Sequence, residues 1–280
     1  MFVDSDDAIT STALEELYSI AKNFDADVVY CEKYYQVEIG EHFTTLKYLL
    51  NEKIGGWVKK DELLSEPKLF SNNPIERIKA FSMYKFFVTP WSYFIRRNLI
   101  QFNHLKFPEL RYGEDNFFDL FLVCLAKNLV RVPNAFYIYR IVKDSISTTP
   151  TVELMVRRMA DHFFQAIDII NKFAKEFTLL ETHVDLRYEL WNFLAVREVA
   201  RLFQIYEQIP AWQLDEIIRR ELEKVKDKTS LTAFLFSRMN VFNVNLNRQN
   251  AMLYQMNAHI QKQNEVIKNL QAEVNRLQQK

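Results

Sequence analysis

The 280-residue chain carries 36 basic and 36 acidic side chains, so its formal net charge is zero and gives no electrostatic support for nucleic-acid binding. Hydrophobic residues make up 49% of the sequence, enough to bury the core of one large or two smaller domains. Its two cysteines form no CxxC motif, which excludes a zinc ribbon, and its four glycines form no GxGxxG or Walker-type phosphate loop.

The first 150 residues alternate between strand-like and helix-like segments. Met1-Phe2-Val3 predicts the end of a buried strand, and a helix is expected from about Thr12, where Thr12 and Glu15 fit a capping box. Apolar runs predict strands at Asp27–Cys31, Leu129–Val132 and Ala135–Tyr139, and helical patterns cover Trp91–Leu99 and Glu114–Lys127. This alternation predicts an α/β domain over residues 1–150.

Beyond Pro150 the patterns are helical. Helices are predicted over Val152–Phe177, Asp185–Gln208 and Trp212–Lys226, which form a helical domain at 151–245. From 246 to 280 a seven-residue apolar repeat predicts a coiled coil and a homo-oligomer. A single long helix folded back on the helical domain is the alternative, and a trimer competes with a parallel dimer. One position of the repeat is occupied by Leu253, Ile260, Ile267 and Val274. The other is occupied by Met256, Gln263, Leu270 and Leu277.

Three carboxylates crowd into four residues at Asp4, Asp6 and Asp7. Such a cluster is unfavourable unless a cation or hydrogen bonds offset the repulsion, and hard divalent cations prefer oxygen ligands of this kind. An EF-hand is excluded because Ala8 and Ile9 stand where Asp or Asn and Gly are needed. The competing interpretation is a solvated turn in which Asp7 or Thr10 caps the following helix.

Two further segments are weak signals on their own. Gly113-Glu114-Asp115 places two acids at a helix N-terminus, where the helix dipole stabilises them whether or not they have a function. Tyr137-Ile138-Tyr139-Arg140, followed by Ser145-Ile146-Ser147, predicts only a strand and a loop.

Taken in order, these segments resemble the family 2 glycosyltransferases. The resemblance covers about residues 1 to 150 and rests on the strand ending in Val3-Asp4-Ser5-Asp6-Asp7, the segment Trp91–Leu99, the Gly113-Glu114-Asp115 motif and the closing segment Tyr137–Ser147. It implies a GT-A fold, a Rossmann-like α/β layer that binds a nucleotide-sugar. It also implies inverting transfer to an acceptor hydroxyl in surface polysaccharide or glycoconjugate synthesis.

The resemblance assigns roles to individual residues. Asp6 and Asp4 would hold Mn²⁺ or Mg²⁺ against the diphosphate of a donor, expected to be a UDP-sugar, with Asp7 as a further donor-side acid. Asp115 would be the catalytic base, with Glu114 as the alternate. Trp91 would stack on the acceptor sugar. The positive charges of Arg140 and Lys143, and not the resemblance, indicate that these two residues would help to neutralise the diphosphate, and an ordinary surface role is at least as much expected for them.

Family members usually carry a further N-terminal stretch before the acidic motif, so a partial GT-A domain is expected here. The chain would then be a fragment of a longer enzyme or the product of a truncated reading frame. It could also be a non-catalytic remnant that binds partners through its helices, or another chain could supply the missing half of the domain. The expected setting is cytoplasmic, with a glycan or lipid-linked acceptor at the inner face of a bacterial membrane. Peripheral membrane association is left open, although no basic amphipathic helix supports it.

Overall fold

The computed structural model describes residues 1–38, 51–54, 64–83, 85–86, 88–110, 113–141, 151–193 and 208–278. They form two compact units, Met1–Asp227 and Lys228–Lys280. The predicted three-part division, at 150 and 245, stays a prediction.

The first unit contains strands and helices, and the second is one helix. The described strands are β1 (Ala8–Ile9), β2 (Val28–Glu38), β3 (Asn51–Ile54), β4 (Lys68–Leu69), β5 (Tyr93–Ile95) and β6 (Leu129–Ile141). The described helices are α1 (Ala13–Asn23), α2 (Pro74–Ser82), α3 (Arg97–Phe102), α4 (Glu114–Leu125), α5 (Val152–Glu176), α6 (Thr178–Thr182), α7 (184–193), α8 (Ala211–Lys224) and α9 (Lys228–Gln278).

A mixed sheet is built around two long strands. β2 and β6 run parallel, from the pair Val28 and Leu129 to the pair Glu38 and Ile141, with register shifts between Cys31 and Tyr35. β1 and β4 pair antiparallel with β6, while β3 and β5 pair antiparallel with β2. The α/β class predicted for this region is therefore confirmed, and the GT-A subclass stays a prediction.

The helix α1 covers one face of the sheet. Ala13 and Leu17 are fully buried, and they pack against a cluster of apolar sheet residues that includes Val29, Val130 and Phe136. Burial of this face, rather than capping, fixes the helix. Thr12 has helical backbone angles (φ −98°, ψ −5°) and makes no side-chain cap hydrogen bond, so the predicted capping box is not formed.

Three local predictions were wrong. Met1–Val3 is irregular rather than a strand, and the first described strand, β1, follows the acids instead of preceding them. The predicted helix Trp91–Leu99 is a short 3₁₀ turn followed by β5, because Tyr93, Phe94 and Ile95 pair with β2 and their aromatic and β-branched side chains suit a strand. The two short strands predicted after Lys127 are one strand, β6.

The helix α4 is held at both ends. Near its C-terminus the buried guanidinium of Arg77, on α2, donates from Nε to the carbonyl of Val123 at 2.9 Å and from Nη2 to that of Ala126 at 2.6 Å. These bonds satisfy carbonyls that a helix end leaves without partners. At its N-terminus Gly113 has φ +74°, and a Cβ there would lie 2.7 Å from Cε1 of His162 on α5.

Among the helices that follow the sheet, α5 and α8 begin and end within two residues of their predicted bounds. The predicted helix Asp185–Gln208 is described only as far as residue 193. α9 is one helix of 51 residues, and the described apolar residues of its predicted seam are 48 to 67% exposed, from Ile260 to Leu277. No described helix is long and apolar enough to cross a membrane.

Candidate functional site

The three N-terminal acids lie on one turn, here called the acidic turn (Asp4–Asp7). The amide of Asp7 donates to the carbonyl of Asp4 at 3.1 Å, which closes the turn. Both carboxylate oxygens of Asp7 accept hydrogen bonds, Oδ1 from the amide of Arg140 at 2.8 Å and Oδ2 from the hydroxyl of Tyr137 at 2.6 Å. The side chains of Asp4 and Asp6 are exposed. Asp7 is thus hydrogen-bonded to the sheet, while the side chains of Asp4 and Asp6 remain exposed to solvent.

The crowding of charge on this turn has an electrostatic effect. Partial burial, followed by the neighbouring charges of Asp7 and Asp6, raises the pKa of Asp4. A divalent cation would relieve this repulsion, and two outward carboxylates are suitable oxygen ligands for one. Among the described residues, however, no group of three or more His, Cys, Asp or Glu side chains is arranged to hold a metal. A cation bound by Asp4 and Asp6 would therefore have to take its remaining ligands from groups other than these side chains.

A second acidic cluster lies at the start of α4. Asp115 is half-buried, and burial, the charge of Glu114 and that of Asp4 raise its pKa to about 6. The ring of Phe2, two residues before Asp4, contacts the ring of Phe118 on α4, with 5.4 Å between centroids. The fold thus brings the acidic turn and the start of α4 together, and the charge of Asp4 contributes to the raised pKa of Asp115. A carboxylate with this pKa is a stronger base than an exposed one and is still mostly ionised at neutral pH.

Asp119 lies one helical turn beyond Asp115 and is fully buried. Neither of its carboxylate oxygens has a hydrogen-bond partner among the described residues. Burial and the charge of Asp115 raise the pKa of this carboxyl well above the usual range, which favours its neutral form. The sequence did not single it out, although it is the one acid within an otherwise apolar stretch of α4, from Phe117 to Leu125.

The remaining predicted residues are placed less directly. Trp91 is 7% exposed, and its ring stacks on Tyr137 at 4.3 Å between centroids with 9° between planes, so Tyr137 covers one of its faces. The backbone of Arg140 contacts Asp7, while its buried Nε has no hydrogen-bond partner among the described residues. Lys143 lies outside the described residues.

Tyr137 is the contact residue that sequence reasoning missed. Its hydroxyl accepts from the amide of Asp4 at 3.1 Å as well as donating to Asp7. Burial and the hydrogen bond to Asp7 raise the pKa of Tyr137, so the hydroxyl keeps its proton and remains a donor. The available signal was its place in the segment Tyr137–Arg140, for which the sequence by itself predicts only a strand.

No model of a known protein family matches the chain. Over 174 residues it is 24% identical to the uncharacterised glycosyltransferase EpsJ of Bacillus subtilis strain 168, a stretch that covers 62% of this chain and 46% of EpsJ.

Among solved structures, residues 1–349 of S. aureus TarS in complex with UDP-GlcNAc superpose with a TM-score of 0.51 at 16% identity, over 80% of this chain and 57% of that one. The same TarS segment without that ligand gives a TM-score of 0.50 at 15% identity, over 82% and 56%. The chain spans about half the length of the proteins that it matches. It therefore has the fold of TarS and is similar in sequence to a protein named as a glycosyltransferase.

Proposed function

We propose that this protein is a glycosyltransferase that moves a sugar from a UDP-sugar to an acceptor hydroxyl, with inversion and with the help of a divalent metal. The observation that carries the proposal is the meeting of two acidic clusters of opposite character. Asp4 and Asp6 are exposed on one turn, and Asp115 is half-buried at the start of α4. The contact between the rings of Phe2 and Phe118 joins the two segments. The charge of Asp4 adds to the raised pKa of Asp115. The similarity to EpsJ and the fold shared with a UDP-GlcNAc-bound protein support the same reading.

The acidic turn is the proposed donor site. Asp6, with Asp4 beside it, would hold Mn²⁺ or Mg²⁺, and the donor diphosphate would supply further oxygen ligands. When bound, the cation would offset the negative charge that develops on the departing diphosphate. Asp7 contributes by anchoring the turn, since both of its oxygens already accept hydrogen bonds. Arg140 and Lys143 are proposed to add positive charge near the diphosphate.

Asp115 is the proposed base, with Glu114 as the alternate. The acceptor oxygen forms a bond to the anomeric carbon while the bond from that carbon to the diphosphate oxygen breaks, and the acceptor proton passes to Asp115. One displacement inverts the anomeric centre. Because burial disfavours the charged form of Asp115, accepting a proton relieves an unfavourable charge in a partly dry site. Trp91, with one face on Tyr137, is proposed to line the acceptor side.

Calorimetric titration with UDP and UDP-GlcNAc, with and without Mn²⁺, tests the donor site. We expect binding that requires the metal, that is lost in Asp6→Ala and that persists in Asp215→Ala, a matched removal of an exposed acid on α8. If wild-type protein binds neither nucleotide at any metal concentration, the proposed function is wrong for this chain.

The second candidate function is oligomerisation or partner binding without catalysis. It is favoured by the exposure of the apolar α9 seam, since Leu253, Ile267 and Leu270 are each more than half exposed. We propose that copies of the chain associate through this seam, whether or not they are catalytic.

The resemblance in the motifs further supports a cytoplasmic setting, with a glycan or lipid-linked acceptor at the inner face of a bacterial membrane.

The seam is tested by solution mass from light scattering. Ile260→Lys combined with Ile267→Lys puts two charges into the repeat and should leave a monomer. Ala258→Lys combined with Gln261→Lys adds the same charge at positions outside the repeat and should leave the oligomer intact. An unchanged mass in the first variant would reject the coiled coil.

A further inference from the structure

The hydroxyl of Tyr137 joins two residues of the acidic turn that lie 133 and 130 positions away in sequence. It accepts a hydrogen bond from the amide of Asp4 at 3.1 Å and donates one to Oδ2 of Asp7 at 2.6 Å. The second bond is charge-assisted, because its acceptor is a carboxylate, and such bonds are roughly twice as strong as neutral ones. One side chain of β6 therefore holds both ends of the turn.

The hydroxyl is itself held in place. Tyr137 is 1% exposed, and its ring lies flat against the buried ring of Trp91. Its strand adds a second contact with the same acid, through the amide of Arg140 and Oδ1 of Asp7. Because β6 pairs with β2 along most of its length, this attachment point is part of the central sheet. Three hydrogen bonds thus attach the turn to the central sheet.

The fastening matters because three like charges on a short turn repel each other and favour wider spacing. The bonds to Tyr137 and Arg140 occupy both oxygens of Asp7 and leave Asp4 and Asp6 exposed. We propose that Tyr137 is a positioning residue that keeps the acidic turn in the shape that binds the metal and the donor diphosphate. This inference rests on the proposed function and adds that Asp7 serves as an anchor and not as a ligand.

Tyr137→Phe is the direct test, because it keeps the ring on Trp91 and removes only the hydroxyl. Amide hydrogen exchange of residues 1–10 should become faster, since the Asp4 amide loses its acceptor. The Mn²⁺-dependent affinity for UDP should fall about tenfold, the effect of losing one charge-assisted hydrogen bond. Tyr18→Phe removes the same group from a side chain on α1 that is 59% exposed, and it should change neither quantity.

A double-mutant cycle separates an action through Asp7 from a general loss of stability. Asp7→Asn removes the charged acceptor of the tyrosine bond while conserving size. If Tyr137 acts through Asp7, the double variant should bind UDP no more weakly than the weaker single variant. If the two losses in affinity multiply, Tyr137 does not act through Asp7, and the anchoring role proposed for Asp7 is overturned.

The two measurements also distinguish this inference from the proposed function. If wild-type protein shows no Mn²⁺-dependent UDP binding, the proposed function fails, and exchange alone then decides whether Tyr137 orders the turn. Unchanged exchange in Tyr137→Phe overturns the inference in every case. If wild-type protein binds UDP and Tyr137→Phe binds it equally well, the inference is wrong while the proposed function stands.

Discussion

The acidic turn and the start of α4 are two clusters of carboxylates built in opposite ways. On the turn, Asp4 and Asp6 are exposed and Asp7 has a hydrogen bond on each oxygen. On α4, Asp115 is half-buried and Asp119 is fully buried without a partner among the described residues. Water and hydrogen bonds favour the charged form of a carboxylate, whereas burial favours the neutral form.

The difference suits two kinds of chemistry. A ligand for a cation must remain charged and accessible, as Asp4 and Asp6 can. A proton acceptor is more effective when its charged form is disfavoured, as it is for Asp115, whose pKa is raised to about 6. The clusters are also linked, because the charge of Asp4 contributes to the raised pKa of Asp115. A cation at Asp4 would therefore lower the pKa of Asp115.

The largest expected effect is on the α4 cluster. Asp115→Asn conserves shape and removes the proposed proton acceptor, so the rate of the sugar-transfer step should fall by roughly 10²- to 10⁴-fold, the typical contribution of a general base. Single-turnover transfer from a UDP-sugar measures it, with Glu114→Gln as the matched variant. If Asp115→Asn retains transfer and Glu114→Gln loses it, Glu114 and not Asp115 would be the base.

A backbone change at the same place should have a smaller effect. Gly113→Ala puts a Cβ at a position with φ +74°, which costs about 1–2 kcal/mol, and in contact with the ring of His162. The free energy of unfolding, measured by urea denaturation, should fall by at least this amount. Gly113→Asn separates the two causes, since Asn tolerates this φ but still carries a Cβ. Equal stability of Gly113→Ala and wild type would contradict the described geometry.

The smallest expected effect is the pH dependence of stability. Because folding raises the pKa of Asp115 to about 6, the folded state binds its proton more tightly than the unfolded state. The stability contributed by this group is full below its unfolded pKa, at about pH 4, and is lost as pH rises through about 6. Asp115→Asn lacks this loss.

The expected advantage of Asp115→Asn near neutral pH is about 1 kcal/mol, after allowing for the solvent exposure of the side chain. Urea denaturation of both proteins at several pH values measures it. The advantage should shrink as pH falls and disappear below about pH 3, where Asp115 is protonated in both the folded and the unfolded state. A constant difference across this range would mean that the pKa of Asp115 is not raised.

How well the sequence predicted the fold depended on the range of the interactions involved. Periodic patterns located α1, α4, α5 and α8, because helical periodicity is a local property. The segment after Pro90 was predicted wrongly, since its strand exists only through pairing with β2. The capping box at Thr12 failed for a similar reason, as the packing of Ala13 and Leu17 on the sheet holds the helix instead.

The site shows the same limit. The acids of the turn and of α4 were recognisable as motifs, and their predicted roles stay predictions. Their proximity was not readable from spacing, because it depends on the tertiary fold. The role of Tyr137 in holding the turn, and the burial of Asp119, likewise depend on contacts between distant segments.

If Asp115 is the base, as proposed, the packing of α4 bears on where an acceptor can react. Arg77 binds carbonyls at the end of the helix, and Gly113, which precedes its first residue, lies close to the ring of His162. Because Asp115 lies at the start of this packed helix, we expect its carboxylate to offer one fixed point of proton transfer. Under the proposed function, an acceptor hydroxyl would be brought to that point by the remainder of the acceptor molecule. Selection among acceptors would accordingly depend on their length and shape, measured from one stationary point.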